Sequence, residues 1–207
     1  MAKSEWGSEL AYNADRLPVA VFVNSFFETR VEQLFELAGR VEAAFAAAGL
    51  EYRVVGGLAT YLYVEEAEPD AGRLTKDIDI LVRRSDLDRI SKAVEPYGLK
   101  YRHVAGIDML VQVGEPSVRR AVHLVFSGEK VRPEYVETAP EVSDARSVKG
   151  IRLVPLGDLV LMKLTSFRLK DQAHLKDLDD AGVITAEIER SLSPVLRERL
   201  EFVRSHE

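Results

Sequence analysis

The chain has 207 residues, of which 46% are hydrophobic, with no cysteine and a net charge of −6. That length suits one large domain or a domain with a modest appendage, and the apolar fraction argues against disorder. Disulfides and thiolate metal sites are excluded, no run of about eighteen apolar residues could span a membrane, and the overall charge gives no general attraction for a polyanion.

The first two dozen residues carry no clear period. Leu17 to Val23 is short and interrupted by Pro18, so it makes a poor signal core, and the expected location is cytoplasmic. From Phe26 a helix is predicted, because Phe27, Val31, Leu34, Leu37, Ala38, Val41, Ala44 and Phe45 recur at three- and four-residue steps, with Gly49 as its stop. Tyr52 to Val55 reads as a strand ending at Gly56-Gly57, and Leu58 to Tyr63 as a helix that starts at that turn. The acidic stretch Val64 to Gly72 reads as a solvated loop.

The run Thr75-Lys76-Asp77-Ile78-Asp79-Ile80-Leu81-Val82 reads as a buried strand carrying two acids. Residues two apart on a strand point to one face, so both carboxylates emerge together. Two like charges that close call for a cation between them. A helix follows over Leu87 to Val94, ended by Gly98. Leu99 to Val104, Ile107 to Val113 and Ala121 to Phe126 are predicted strands of one mostly antiparallel sheet, with a further strand at Ile151 to Val154. Helices are expected over Leu156 to Arg168, Asp171 to Ala181 and Ala186 to Arg204, the last open to a break at Pro194. The expected architecture is α/β: a mixed-sheet core with flanking helices over residues 1–154 and a C-terminal helical segment over 155–207 packed on it.

Three passages carry chemistry: Val55-Gly56-Gly57-Leu58-Ala59; Arg73-Leu74-Thr75-Lys76-Asp77-Ile78-Asp79-Ile80; and Leu161-Met162-Lys163-Leu164 with Arg168, Lys170 and Asp177-Leu178. Together they resemble the nucleotidyltransferase superfamily that includes polymerase beta, and within it the small bacterial branch of AbiEii-type toxins. The resemblance runs from about Glu51 to Leu178. It implies the nucleotidyltransferase fold, a Mg2+-dependent transfer of a nucleotide monophosphate from a nucleoside triphosphate to an acceptor hydroxyl, and the toxin part of a toxin–antitoxin pair. RNA (a tRNA end), a protein or a small molecule is the implied acceptor, and an antitoxin protein the implied partner.

By the same resemblance Gly56 and Gly57 receive phosphate. Glycines there let the backbone approach an anion at a helix start. Leu58 stands where many relatives have a serine. Asp77 and Asp79 correspond to the first two metal carboxylates, which suit magnesium because that ion takes carboxylate, phosphate and water oxygens. The third carboxylate position falls on His123 in Ala121-Val122-His123-Leu124, with Asp108 as the alternative acid if the strands pair differently. Catalysis therefore rests on Asp77, Asp79 and His123. Arg73, Thr75 and Lys163 join the two glycines as nucleotide-binding residues.

Each assignment has a structural alternative: a salt bridge for Arg73, a strand-start hydroxyl for Thr75, a snorkelling surface lysine for Lys163 and a hydrogen-bonded strand residue for His123. Asp171, His174 and Asp177 fall on one helical face, as a zinc site or as a salt-bridge network that docks the helices. Other templates are missing: there is no Gly-x-Ser-x-Gly elbow, no Walker loop and no His-Glu-x-x-His. The alternatives to an enzyme are a nucleotide-binding module with impaired catalysis and an interaction protein on the same fold.

Overall fold

A computed structural model describes residues 19–73, 75–114 and 121–206, with side chains from Val31 onward. Leu74, the stretch weighed as a signal core up to Pro18, and the packing of Phe27 lie outside these. Contacts divide the chain into a unit of residues 1–33 and one of residues 34–207; all that follows concerns the second.

Helix α1 (Val19–Ala47) begins seven residues before the period at Phe26 becomes legible. Its part within the second unit buries Leu34, Leu37, Ala38, Val41, Ala44 and Phe45, the predicted stripe. Gly49 ends it in the left-handed region, φ +59°. Strand β1 (Arg53–Val55) leads without a linker into α2 (Gly56–Ala67). That helix extends into the acidic stretch read as loop: Val64 is buried, and Glu66 pairs with Arg146 at 2.8 Å. Glutamates are good helix formers, and a run of them on an outer helical face looks in sequence like a solvated loop.

Strand β2 (Ile78–Val82) is followed by a 3-10 turn and α3 (Leu87–Val94). Then come β3 (Leu99–Val104), β4 (Ile107–Gln112) and β5 (Val122–Phe126). A hairpin of β6 (Arg146–Val148) and β7 (Ile151–Leu153) precedes α4 (Leu156–Ser166), α5 (Leu169–Asp180), α6 (Ala186–Ser191) and α7 (Pro194–Ser205). Strand β6 was not predicted. Three residues at a sheet edge give no period, although Lys149-Gly150, both at positive φ, form the two-residue turn that such hairpins favour. The long C-terminal helix does break before Pro194, and the first of the three ends at Ser166, with Phe167 left-handed at φ +47°.

The seven strands form one mixed sheet in the order β3-β4-β5-β2-β1-β7-β6. β2 and β5, and β1 and β7, are parallel; the other pairs are antiparallel. The sheet and the C-terminal helices share one core that runs from Leu34 through Ile80 and Leu124 to Leu159, Leu178 and Val203. Among the described residues no helix is long and apolar enough to cross a membrane.

Phe45 is fully buried and meets Tyr52 edge to face at 4.9 Å between ring centroids, while Tyr52 donates to Glu42 on α1. Truncating Phe45 removes this anchor of α1 on β1. Phe45→Ala is expected to destabilise residues 34–207 by about 3–5 kcal/mol, read from the shift of the urea unfolding midpoint at unchanged slope.

Candidate active site

The turn between β1 and α2 is built by a close approach. Antiparallel pairing of β1 with β2 sets Val55 opposite Asp79, so the next residue, Gly56, comes under the Asp79 side chain. Gly56 has φ +67°, and a Cβ there would collide with the Asp79 carboxylate. A Cβ on Gly57 would lie 2.6 Å from Thr75 Oγ1. Both glycines are thus required by space, and the first also by conformation. Thr75 Oγ1 accepts from the Asp77 amide at 3.4 Å and donates to the Asp77 carbonyl at 3.3 Å. It thereby shapes the residue that precedes β2. Leu58, in the serine position, is buried in the core.

Asp77, Asp79, Gly56, Gly57, Thr75, His123 and Lys163 all line one cleft of about 800 Å³. Parallel pairing of β2 with β5 places His123 directly beside Asp79, and His123 Nδ1 lies 3.2 Å from Asp79 Oδ1. That hydrogen bond raises the histidine's pKa above its ordinary value, against the opposing effect of burial, and the negative charges of Asp79 and Asp77 act in the same direction.

Asp108 lines the cleft too, but Met109 is the β4 residue paired with His123. Asp108 instead accepts from Tyr101 at 2.5 Å and lies 2.8 Å from His103 Nδ1. Arg73 does not line the cleft; it pairs with Asp177 at 3.0 Å.

Lys163, one helical segment later in the chain, is only 4% exposed, so it does not snorkel. Its Nζ lies 3.2 Å from Asp171 Oδ1 and 2.8 Å from His174 Nδ1. Asp171, fully buried, also accepts from Ser166 Oγ at 2.7 Å, from Arg168 Nε at 2.7 Å and from the Arg168 amide at 3.3 Å. Burial opposes its ionisation, but Arg168, Lys163 and Ser166 outweigh burial and hold the carboxyl down at about 2. Burial lowers the pKa of Lys163, and Asp171 works against that. Burial and the neighbouring Lys163 charge push His174 down to about 4, so it is neutral and accepts a proton of the ammonium.

Of the three residues on the α5 face, then, Asp171 and His174 share Lys163, while Asp177 holds Arg73. They form a docking network. Among the described residues no group of three or more His, Asp or Glu is arranged to hold a metal ion. The residues that remain for a magnesium ion are Asp77 and Asp79. They fit it, because magnesium is held by one or two carboxylates together with substrate phosphates and water.

Sequence reasoning missed the far side of the cleft. Arg84 grips Glu129 through two hydrogen bonds of 2.5 and 2.6 Å and lies 3.6 Å above the Phe126 ring. Tyr135 lines the wall beyond it. No period marks either residue, and a Pro-containing charged segment reads only as loop.

No family model matches the chain, and no curated protein matches it. Solved structures do. The crystal structure of ANT(2")-Ia in complex with adenylyl-2"-tobramycin is similar over 84% of this chain and 98% of that one, with a TM-score of 0.50 at 14% identity. The solution structure of the antibiotic-resistance factor ANT(2")-Ia matches over 85% and 84%, with a TM-score of 0.46 at 11% identity. The Megavirus polyadenylate synthase matches over 85% of this chain and 34% of that one, at a TM-score of 0.36 and 12% identity. The first likeness establishes the fold: this chain has the mixed α/β architecture of the nucleotidyltransferase fold.

Two predictions come from the geometry. Gly56→Ala is both conformationally strained and in collision with Asp79, and it is expected to lower the urea unfolding midpoint while the far-UV spectrum is kept. Because His174 is neutral in the fold but titrates near its ordinary 6.5 when unfolded, its contribution is complete above about pH 6.5 and is lost as pH falls towards 4. His174→Gln should flatten the fall in melting temperature across that window and leave the steeper loss below pH 4, due to Asp171, in place.

Proposed function

We propose that this protein transfers a nucleoside monophosphate from a magnesium-bound nucleoside triphosphate to an acceptor hydroxyl. The observation that carries the reading is the packing of Gly56 and Gly57 against Asp79 and Thr75 in the cleft that also holds Asp77, His123 and Lys163. A backbone cradle at a helix start, two carboxylates and a buried ammonium are the parts needed to hold a triphosphate. The fold shared with a protein crystallised with adenylyl-2"-tobramycin supports the same reading.

In the proposed reaction the acceptor oxygen forms a bond to the α-phosphorus, the bond from that phosphorus to the bridging oxygen breaks, and pyrophosphate leaves. Asp77 and Asp79 would hold magnesium, which supplies positive charge at the phosphates and lowers the pKa of the attacking hydroxyl. Lys163 adds a fixed cation, and the Gly56-Gly57 backbone orients the outer phosphates. His123 takes the hydroxyl proton. With Nδ1 turned to Asp79, its Nε2 is the free acceptor, an arrangement in which a carboxylate orients a histidine base.

The resemblance to AbiEii-type toxins extends the reading to an antitoxin partner and to a tRNA end or a protein hydroxyl as acceptor. A net charge of −6 supplies no general attraction for RNA, which places hydroxylated small molecules beside those two classes.

Label from α-labelled ATP, CTP, GTP or UTP is expected to pass to one of these acceptors, and Asp77→Ala and Asp79→Ala should abolish it. Transfer that survives both substitutions, or a folded sample that binds none of the four nucleotides, overturns the proposal. His123→Asn should lower kcat by about 10²–10⁴. A gain of activity in His123→Asp would instead make position 123 a third metal ligand.

A further inference from the structure

The cleft lining combines two sets of residues of different chemistry. One is Gly56-Gly57, Asp79 and Lys163. The other belongs to the segment from Glu129 to Ala139, closed on itself by the Gly128 amide donating to the Ala139 carbonyl at 2.9 Å and the Ala139 amide donating to the Glu129 carbonyl at 2.8 Å. Arg84 clamps its first residue through both oxygens of Glu129. The loop is therefore braced at both ends, and what it presents to the cleft is held in place.

It presents an aromatic ring. Two aromatics, Phe126 and Tyr135, are among the described residues lining the cleft. Phe126 is 6% exposed and covered by the Arg84 guanidinium. Tyr135 is half-buried, and neither its ring nor its hydroxyl makes a hydrogen bond, ring contact or ion pair among the described residues. No hydrogen bond, ring contact or ion pair among the described residues commits this ring or its hydroxyl to the fold.

Arg168 lines the same cleft as Asp79 and Tyr135. Arg168 is held by Asp171 through Nε and is about half exposed. A triphosphate seated on Gly56-Gly57 and Lys163 leaves its nucleoside to the rest of the cleft, which Arg168 and Tyr135 line.

We infer that Tyr135 is the platform on which the nucleobase of the bound triphosphate stacks. This rests on the nucleotidyl-transfer reading and specifies which part of the cleft holds the base. Every base has a π-face, so a single stacked ring binds all four bases and distinguishes them weakly. Tyr135 thus sets affinity for the nucleoside half of the substrate, while the phosphates are gripped independently by the first set of residues.

The test is calorimetric, with the full chain and magnesium present. Mg-ATP, Mg-CTP, Mg-GTP, Mg-UTP and magnesium tripolyphosphate are titrated into the wild type, Tyr135→Ala and Tyr135→Phe. Tyr135→Ala is expected to weaken all four nucleotides by roughly tenfold or more and to leave tripolyphosphate unchanged. Tyr135→Phe should bind the nucleotides as the wild type does. Unchanged nucleotide affinity in Tyr135→Ala overturns the assignment, and so does an equal loss for tripolyphosphate, which would make Tyr135 a support of the phosphate site. A loss confined to one base, or one shared by Tyr135→Phe, would show that the hydroxyl and not the ring makes the contact. A wild type that binds tripolyphosphate but no nucleotide overturns the stacking alone; one that binds neither overturns the underlying reading as well.

Discussion

The site depends on one steric fact: Gly56 lies so close to the Asp79 carboxylate that no side chain fits between them. The register of β1 on β2 produces this contact. A shift of one residue would send Asp79 to the other face of the sheet and bury its charge among Ile78, Ile80 and their neighbours. The apolar alternation of β2 therefore fixes the position of the acid, and the acid in turn forbids a side chain at the turn. The start of α2 therefore lies beside a carboxylate, and no side chain caps it through a hydrogen bond at its N-cap, Val55.

The second half of the site comes from far along the chain and is placed by packing. α4 and α5 bury Leu159, Val160, Leu164, Leu175 and Leu178 in the same core as β2. Lys163 lies in that buried stripe and can end in the cleft only because Asp171 and His174 meet its ammonium there. The Lys163–Asp171 pair is thus a device of position. Replacing a buried ion pair with apolar residues is often neutral for stability, whereas removing one partner is costly, so the pair's value lies in where it holds the ammonium.

What the sequence revealed follows the reach of each signal. Buried strands and the glycine turn are local patterns, and β1, β2, β5 and the start of α2 were legible from them. The adjacency of His123 to Asp79 was implied only by the resemblance, with Asp108 left as the alternative, and the parallel pairing of β2 with β5 decides it. The continuation of α2 past Val64 was hidden because glutamates suit a helix surface as well as a loop. Lys163 read without the resemblance is a surface lysine; its burial is decided by Asp171, eight positions on and across a helix break at Phe167. Arg84, Glu129 and Tyr135 were illegible for a different reason. Their relation is tertiary, and the segment that carries two of them has neither period nor motif. Arg73 shows the converse: its place beside the motif suggested phosphate, yet Asp177 on α5 claims it.

The fully buried Asp171 resolves an apparent conflict around Lys163. An ammonium as deeply buried as that of Lys163 tends to lose its proton, because desolvation penalises the charged form. Asp171 is itself kept ionised, against burial, by Arg168, Lys163 and Ser166, and its charge opposes the fall in the lysine's pKa. His174, neutral, takes one ammonium hydrogen without adding a competing positive charge. Arg168 anchors the carboxylate and stays half exposed in the cleft. The same buried acid therefore opposes the loss of the Lys163 proton and orients Arg168, two basic groups that line a cleft in a chain that is negative overall.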